Sequence, residues 1–262
     1  MMRRPFHIAL LDALPSVMLG IVLIAAWEAA IHLFNVSAFI VPPPSSIAVA
    51  LVENASTLAV ATLVTAKEVL VGFLLASLVG ALLALLIVRF RFLGRALYPI
   101  IVLFQTVPKV ALAPIFILWF GYDLSPKVVL IVVIAFFPVT LDMLAGLQSV
   151  DPGLIALMRS VGAKDNDILI RVRIPNALPH LMAGMKIAIT LSVIGAIVGE
   201  FAGASAGLGY TIQFASTQLD TPMVFAALIV VSVVGVAFYY LIEVLERTVT
   251  PWASKFDPAH QH

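Results

Sequence analysis

Few side chains in this 262-residue chain could do chemistry, and they are marked out by where they fall. Glu200, Asp142 and Lys109 sit within or at the end of long apolar runs, and Lys109 lies between Pro108 and Pro114. A charge in an apolar medium costs about 2.5 kcal/mol or more, so it faces water-filled space or a polar partner. Glu200, at the end of its run, has two readings: a gate or pathway residue, and a cap that fixes the glycine-rich turn after it. Asp142 reads as a structural hydrogen-bonding residue and is also a pathway candidate. Bond-making chemistry has no comparable support. Serine, histidine and acidic residues form no hydrolase or metal arrangement, and His180 beside Pro179 is a lone loop histidine. There is no cysteine and no Gly-x4-Gly-Lys-Ser/Thr phosphate loop. No catalytic residue, metal site or enzyme activity is expected of this chain.

The elements that hold these residues follow from composition. The chain is 62% hydrophobic and 11% charged, against about a quarter charged in soluble domains. An all-α membrane protein is expected, in contact with the lipid bilayer. A net charge of +1 argues against nucleic acid as a partner. Six segments reach the spanning length of roughly 20 residues: Leu14 to Leu33, Leu70 to Val88, Leu97 to Phe120, Val128 to Leu147, Met185 to Phe201 and Val224 to Leu245. The first reads as an uncleaved helix rather than a secretory signal. The second could begin earlier, because Leu58 to Val69 is also apolar apart from Lys67 and Glu68. Those two read as an outer-interface pair with snorkelling stems. The third is expected to be broken or kinked at its prolines, and Pro138 could kink the fourth. Non-helical backbone at membrane depth must be buried in protein or line a cavity, which makes Pro108, Lys109 and Pro114 pathway candidates. Trp119 and Tyr122 read as an outer aromatic belt. Gly72, Gly80 and Ala84 suit close helix packing.

Basic residues set the orientation. With both termini in the cytoplasm, 12 of the 15 Lys and Arg lie on that side, leaving Lys67, Lys109 and Lys127. The outer loops are then Asn35 to Thr57, Gly121 to Lys127 and Ala202 to Pro222. On the cytoplasmic side, Asp151 to Lys186 is a polar island with eight charges in 36 residues. Asp151 and Pro152 suit the cap and first position of a helix. Leu154, Ile155, Leu157, Met158 and Val161 give that helix a broad apolar face, and Gly162 can end it with a positive φ. Asp165 can cap a second short helix through Arg173, which Pro175 ends. Two short helices joined at a glycine make a docking knob rather than a catalytic pocket.

This loop resembles the one shared by membrane subunits of ABC importers, whose pattern is Glu-Ala-Ala, three residues, Gly, nine residues, Ile-x-Leu-Pro. Here Gly162 is followed after nine residues by Val172-Arg173-Ile174-Pro175, and Ala156-Leu157-Met158 occupies the triplet without its glutamate. Gln105 to Lys127, Ala135 to Leu147 and Gly199 to Ile212 also resemble the nitrate, taurine, sulfonate and thiamine-precursor permeases. Asp142 stands where relatives more often have a neutral amide. The resemblance implies a type I importer permease with about six transmembrane helices in a bacterial cytoplasmic membrane. It implies a first region over residues 1–55, a permease core over 56–250 with its coupling loop at 151–184, and a cytoplasmic tail over 251–262. The residues that would meet the ATPase are Asp151, Pro152, Ala156, Leu157, Met158, Arg159, Gly162, Ala163, Val172, Ile174 and Pro175. ATP and magnesium would be bound by separate cytoplasmic subunits, an outer solute-binding protein would deliver a small sulfonate, nitrate or heteroaromatic vitamin precursor, and the chain would pair with a second copy of itself. An ion-gradient-driven secondary transporter is the alternative; it calls for inverted internal repeats, which the two halves do not show.

Overall fold

The computed structural model describes residues 6–252, all of whose regular structure is helical. The basic pair Arg3 and Arg4 and the tail from residue 253, Lys255 included, lie outside the described residues. Eleven α-helices follow one another among the described residues: α1 Phe6–Leu33, α2 Pro44–Glu53, α3 Ala55–Arg89, α4 Arg91–Thr106, α5 Ala113–Phe120, α6 Leu124–Gln148, α7 Pro152–Ser160, α8 Asp165–Ile168, α9 Ile174–Gly203, α10 Leu208–Thr217 and α11 Thr221–Val249. Four helical stretches are long and apolar enough to cross a bilayer: α3, α6, the continuous run Asp165–Gly203, and α11. They contain the second, fourth, fifth and sixth expected segments, and α3 does begin well before Leu70.

The third expected segment is broken at its prolines, as its sequence predicts. Residues 97–120 are not one helix: α4 stops at Thr106, Lys109–Leu112 is a 3-10 turn, and α5 follows. Pro108 lacks an amide donor and disfavours helical geometry at the residue before it; Val107 is accordingly extended, at φ −70° and ψ 129°. Pro138, by contrast, lies inside an uninterrupted α6. Two expected outer loops are also shorter than anticipated. Residues 35–57 contain α2, whose first turn takes Pro44 without losing a needed donor, and residues 202–222 contain α10.

The chain divides into two compact units. The first comprises Met1–Ala59 and Thr211–Ile229. Within it the Glu28 carboxylate, the one charge of the first apolar run, accepts from the Ser45 amide at 3.0 Å and hydroxyl at 2.7 Å. It thereby satisfies the N-terminus of α2, while His32 lies 3.1 Å away. Trp27 and Phe225 pack with ring centroids 6.0 Å apart.

The second unit comprises Val60–Tyr210 and Val230–His262. Its core sets α6 against α3 and α9, joining Val69, Phe73, Ile131, Val139, Ile189 and Val193, with Ile242 of α11. Small residues let the backbones approach. A Cβ at Gly80 would fall 2.7 Å from the Phe136 carbonyl oxygen, and one at Gly184 would fall 2.8 Å from the Pro138 carbonyl oxygen. Ala84 is fully buried in the same stripe. Outward faces carry Leu74, Leu78, Leu82, Val233 and Val236 exposed, as lipid-facing helices require.

Candidate functional site

Two polar constructions stand out in the second unit: the charged segment after α6, and a buried cluster among α3, α6, α9 and α10. The first begins at α7. The Asp151 carboxylate accepts from the Gly153 amide at 2.7 Å, and Pro152 occupies the first turn. At the other end Gly162 adopts φ +83°. Its amide donates to the Arg159 carbonyl and that of Ala163 to the Met158 carbonyl, both at 3.0 Å. This is the six-to-one, five-to-two closure of a Schellman end. A nine-residue helix is therefore held at both ends although none of its side chains is buried. Leu154, Leu157 and Val161 are all exposed, at 42%, 60% and 73%.

The second half of the segment differs from expectation. Asp165 does not cap α8; Asp167 reaches back to accept from the Lys164 amide at 3.1 Å. Pro175 does not end the helix either. Residues Leu169–Arg173 form a π-turn that leads straight into α9. The wider turn relieves the clash between the proline ring and the preceding turn's carbonyl, so the backbone passes through instead of stopping. Val172, Ile174 and Pro175 are half-buried along this continuous rod. Beside them, Asn176 donates to the Gly146 carbonyl and the Ser149 hydroxyl, both at 2.9 Å, and Arg173 donates to the Leu147 carbonyl at 3.4 Å. These bonds satisfy carbonyls that the end of α6 leaves open. His180 is likewise helical, and its side chain packs over Gly146.

The buried cluster centres on Glu200, which has 0% exposure. Its carboxylate accepts from the Thr65 hydroxyl at 2.6 Å, the Gly209 amide at 2.5 Å and the Tyr210 amide at 3.3 Å. The Thr65 hydroxyl in turn accepts from the Leu208 amide at 2.8 Å. Glu200 and Thr65 thus cap the N-terminus of α10, where an anion is favoured. Of the two readings of Glu200, the cap is the one these contacts match: the carboxylate is enclosed within the chain and bonded to the first amides of α10. Gly207, at φ +114°, passes so close to this carboxylate that no side chain would fit.

Lys127 and Glu68 correct two further expectations. Lys127 is not in an outer loop but on the first turn of α6, 7% exposed, and its ammonium donates to Glu68. Glu68 is 2% exposed, so it does not snorkel to an interface, and its Oε2 has no hydrogen-bond partner among the described residues. The signal was present in spacing: Thr65, Glu68, Gly72, Ala76 and Gly80 recur every three or four residues on the packed stripe of α3.

The remaining pathway candidates are scattered. Pro108 and Pro114 are exposed, Lys109 is half-buried with its ammonium 5.8 Å from the Phe137 ring centre, and Asp142 is half-buried against Gly184. No cluster of three or more His, Cys, Asp or Glu suited to a metal occurs among the described residues.

Comparison with known proteins decides the family. Residues 72–251 match the model of the binding-protein-dependent transport system inner membrane component. The chain belongs to this family. The permease is 35% identical to the formylaminopyrimidine transport permease protein ThiX of Halalkalibacterium halodurans over 93% of its own length and 98% of the relative's. It is 34% identical to the riboflavin transport system permease protein RibX of Chloroflexus aurantiacus, covering 88% of the permease and 87% of the relative. It is 31% identical to the putative aliphatic sulfonates transport permease protein SsuC of Bacillus subtilis, covering 92% and 88%. In fold it is similar to a chain of the MetNI methionine ABC transporter in an inward-facing conformation. The TM-score is 0.63 at 21% identity, over 71% of the permease and 93% of that chain. The permease is thus a multi-pass inner-membrane transport component with the fold of ABC importer permeases.

Proposed function

We propose that the permease forms half of the pathway of an ATP-driven importer and that α7 is the element it seats in a cytoplasmic ATP-binding subunit. The observation that carries this reading is α7 itself, an apolar helix fastened at both ends with no side chain buried in its own chain. A capped helix with exposed leucines fits a groove on a partner. Asp151, Pro152, Gly162 and Ala163 hold its shape; Ala156, Leu157, Met158 and Arg159 present its face. Force on α7 passes through α8 into α9, and through Asn176 and Arg173 to the end of α6. That is coupling by rigid-body motion of packed elements.

ATP and magnesium belong to the partner subunit in this scheme, and both termini lie in the cytoplasm. A second copy of the chain closes the pathway as a two-fold pair and presents a second α7. Pro108, Lys109, Pro114 and Asp142 are its pathway candidates. The substrate is a small heteroaromatic or sulfonate solute, by analogy with the formylaminopyrimidine, riboflavin and sulfonate relatives, delivered by an outer solute-binding protein.

The test is uptake in vesicles that contain the permease, its ATP-binding subunit and its binding protein. Uptake should require ATP and withstand an uncoupler of ion gradients. Deleting residues 151–161 should release the ATP-binding subunit. A complex that survives the deletion intact overturns the coupling assignment, and uptake that collapses with the ion gradient overturns the energy source.

A further inference from the structure

We propose that the arginine-lined hollow at the end of α3 binds the phosphate of an anionic phospholipid of the cytoplasmic leaflet. The proposal rests on the orientation argued above, which puts this end of α3 in the cytoplasm.

Two adjoining cavities share Val88 and Arg173. The larger, of 690 Å³, is lined by Arg95 and Arg173 over Ile87, Val88 and Leu144; the other, of 470 Å³, adds Arg89 and reaches Arg159 and Asp165. Ile87 and Val88 lie in the last turn of α3, and Leu144 is near the end of α6. The hollow therefore sits where spanning helices give way to charged loops, the depth at which a headgroup meets its acyl chains. A soluble anion has no use for that apolar floor, whereas a glycerol backbone and the first methylenes of a lipid do.

The cations are short of anions. Asp165 is the single carboxylate on either lining, and it faces Arg159 at 3.5 Å with both side chains exposed. Arg89 lies 5.7 Å from the Phe90 ring centre, and neither it nor Arg95 has a carboxylate partner among the described residues. Arg173 donates one N–H to the Leu147 carbonyl and has no carboxylate partner among the described residues. Guanidinium forks match phosphate oxygens in pairs, and basic pockets between spanning helices on the cytoplasmic side are suited to anionic headgroups.

The experiment uses the assembled transporter in nanodiscs of phosphatidylcholine with a minor share of phosphatidylglycerol, followed by native mass spectrometry of retained lipid. Phosphatidylglycerol should be retained above its bulk share. The Arg89→Gln/Arg95→Gln double variant should lose that enrichment, by about fivefold per arginine. Arg95→Lys, which keeps the charge but not the fork, should retain part of it and so excludes misfolding as the cause. Excess inorganic phosphate, against a chloride control of equal ionic strength, should leave the lipid bound. The proposal is overturned if the wild type shows no enrichment, or if the double variant keeps it. Displacement by inorganic phosphate overturns it in favour of a soluble anion. Loss of the ATP-binding subunit from the double variant overturns it in favour of a docking face. The same spectra report whether the wild type holds that subunit at all, so a failure of the coupling reading is distinguishable from a failure of the lipid site.

Discussion

Glu28 and Glu200 do the same physical work at different places: each brings a carboxylate from an apolar helix to the open amides of a short helix. Glu28 meets the start of α2 at Ser45, and Glu200 meets the start of α10 at Gly209 and Tyr210. A short helix isolated in water is marginal, and a charge-assisted bond to its first amides contributes about 1.5–3 kcal/mol where buried. Glu200→Gln should therefore loosen α10, with faster amide exchange confined to residues 208–211 and assembly intact. Uptake should fall only as the folded fraction falls; a selective loss of transport from a fully folded variant would return Glu200 to the pathway. Lys127 poses a sharper case, because it is the ammonium beside Glu68 in a cluster that also holds Glu200. Removing one partner of a buried ion pair costs about 3–5 kcal/mol, whereas replacing both by apolar groups can be neutral. Lys127→Met should lower the thermal midpoint in detergent strongly, and Lys127→Met combined with Glu68→Leu should recover most of it. A double variant no more stable than Lys127→Met would show that the unpaired Glu68 carboxylate is not what destabilises the single variant.

At the scale of elements, the stops matter more than the spans. Asp151→Ala removes the side-chain acceptor at the start of α7 and should weaken that helix by about 1 kcal/mol. Gly162→Ala forces a side chain into the left-handed region, at about 1–2 kcal/mol. Each should loosen binding of the ATP-binding subunit by about 5- to 30-fold, measured as dissociation from immobilised permease; unchanged affinity in both would mean that α7 is not the docking element. These two ends were legible in sequence because a cap and a glycine stop are local chemistry. Pro175 was misread for the complementary reason. A proline has no amide donor wherever it occurs, but whether the helix ends there depends on the register of the preceding turn, and a π-turn over Leu169–Arg173 keeps the rod continuous. Lys127 and Glu68 were misplaced because charge alone suggests an interface, while their burial depends on α3 and α6 packing across small residues such as Gly72 and Gly80. Four spans were plain from apolar length, and the division of residues 97–120 required knowing which of three prolines acts. Pro108 breaks the chain, Pro114 starts a helix, and Pro99 sits within one.

For the whole molecule, the absence of cysteine from the sequence makes the sidedness of each face directly testable. A single introduced thiol is then the only one present, so labelling reports one position. Leu157 on α7 and Tyr122 after α5 are both exposed, at 60% and 76%. The topology that gathers 12 of the 15 basic residues on the inner side predicts Leu157 in the cytoplasm and Tyr122 outside. Leu157→Cys should react with a membrane-impermeant maleimide in inside-out vesicles and not in right-side-out ones, and Tyr122→Cys should do the reverse. Added ATP-binding subunit should protect Leu157→Cys from the reagent while leaving Tyr122→Cys untouched, because a helix seated in a groove loses solvent on the face that carries its leucines. Reversed labelling would invert the topology and with it the coupling and lipid assignments. Correct sidedness without protection would keep the topology but separate α7 from the ATP-binding subunit, leaving the exposed leucines to be explained by some other cytoplasmic contact.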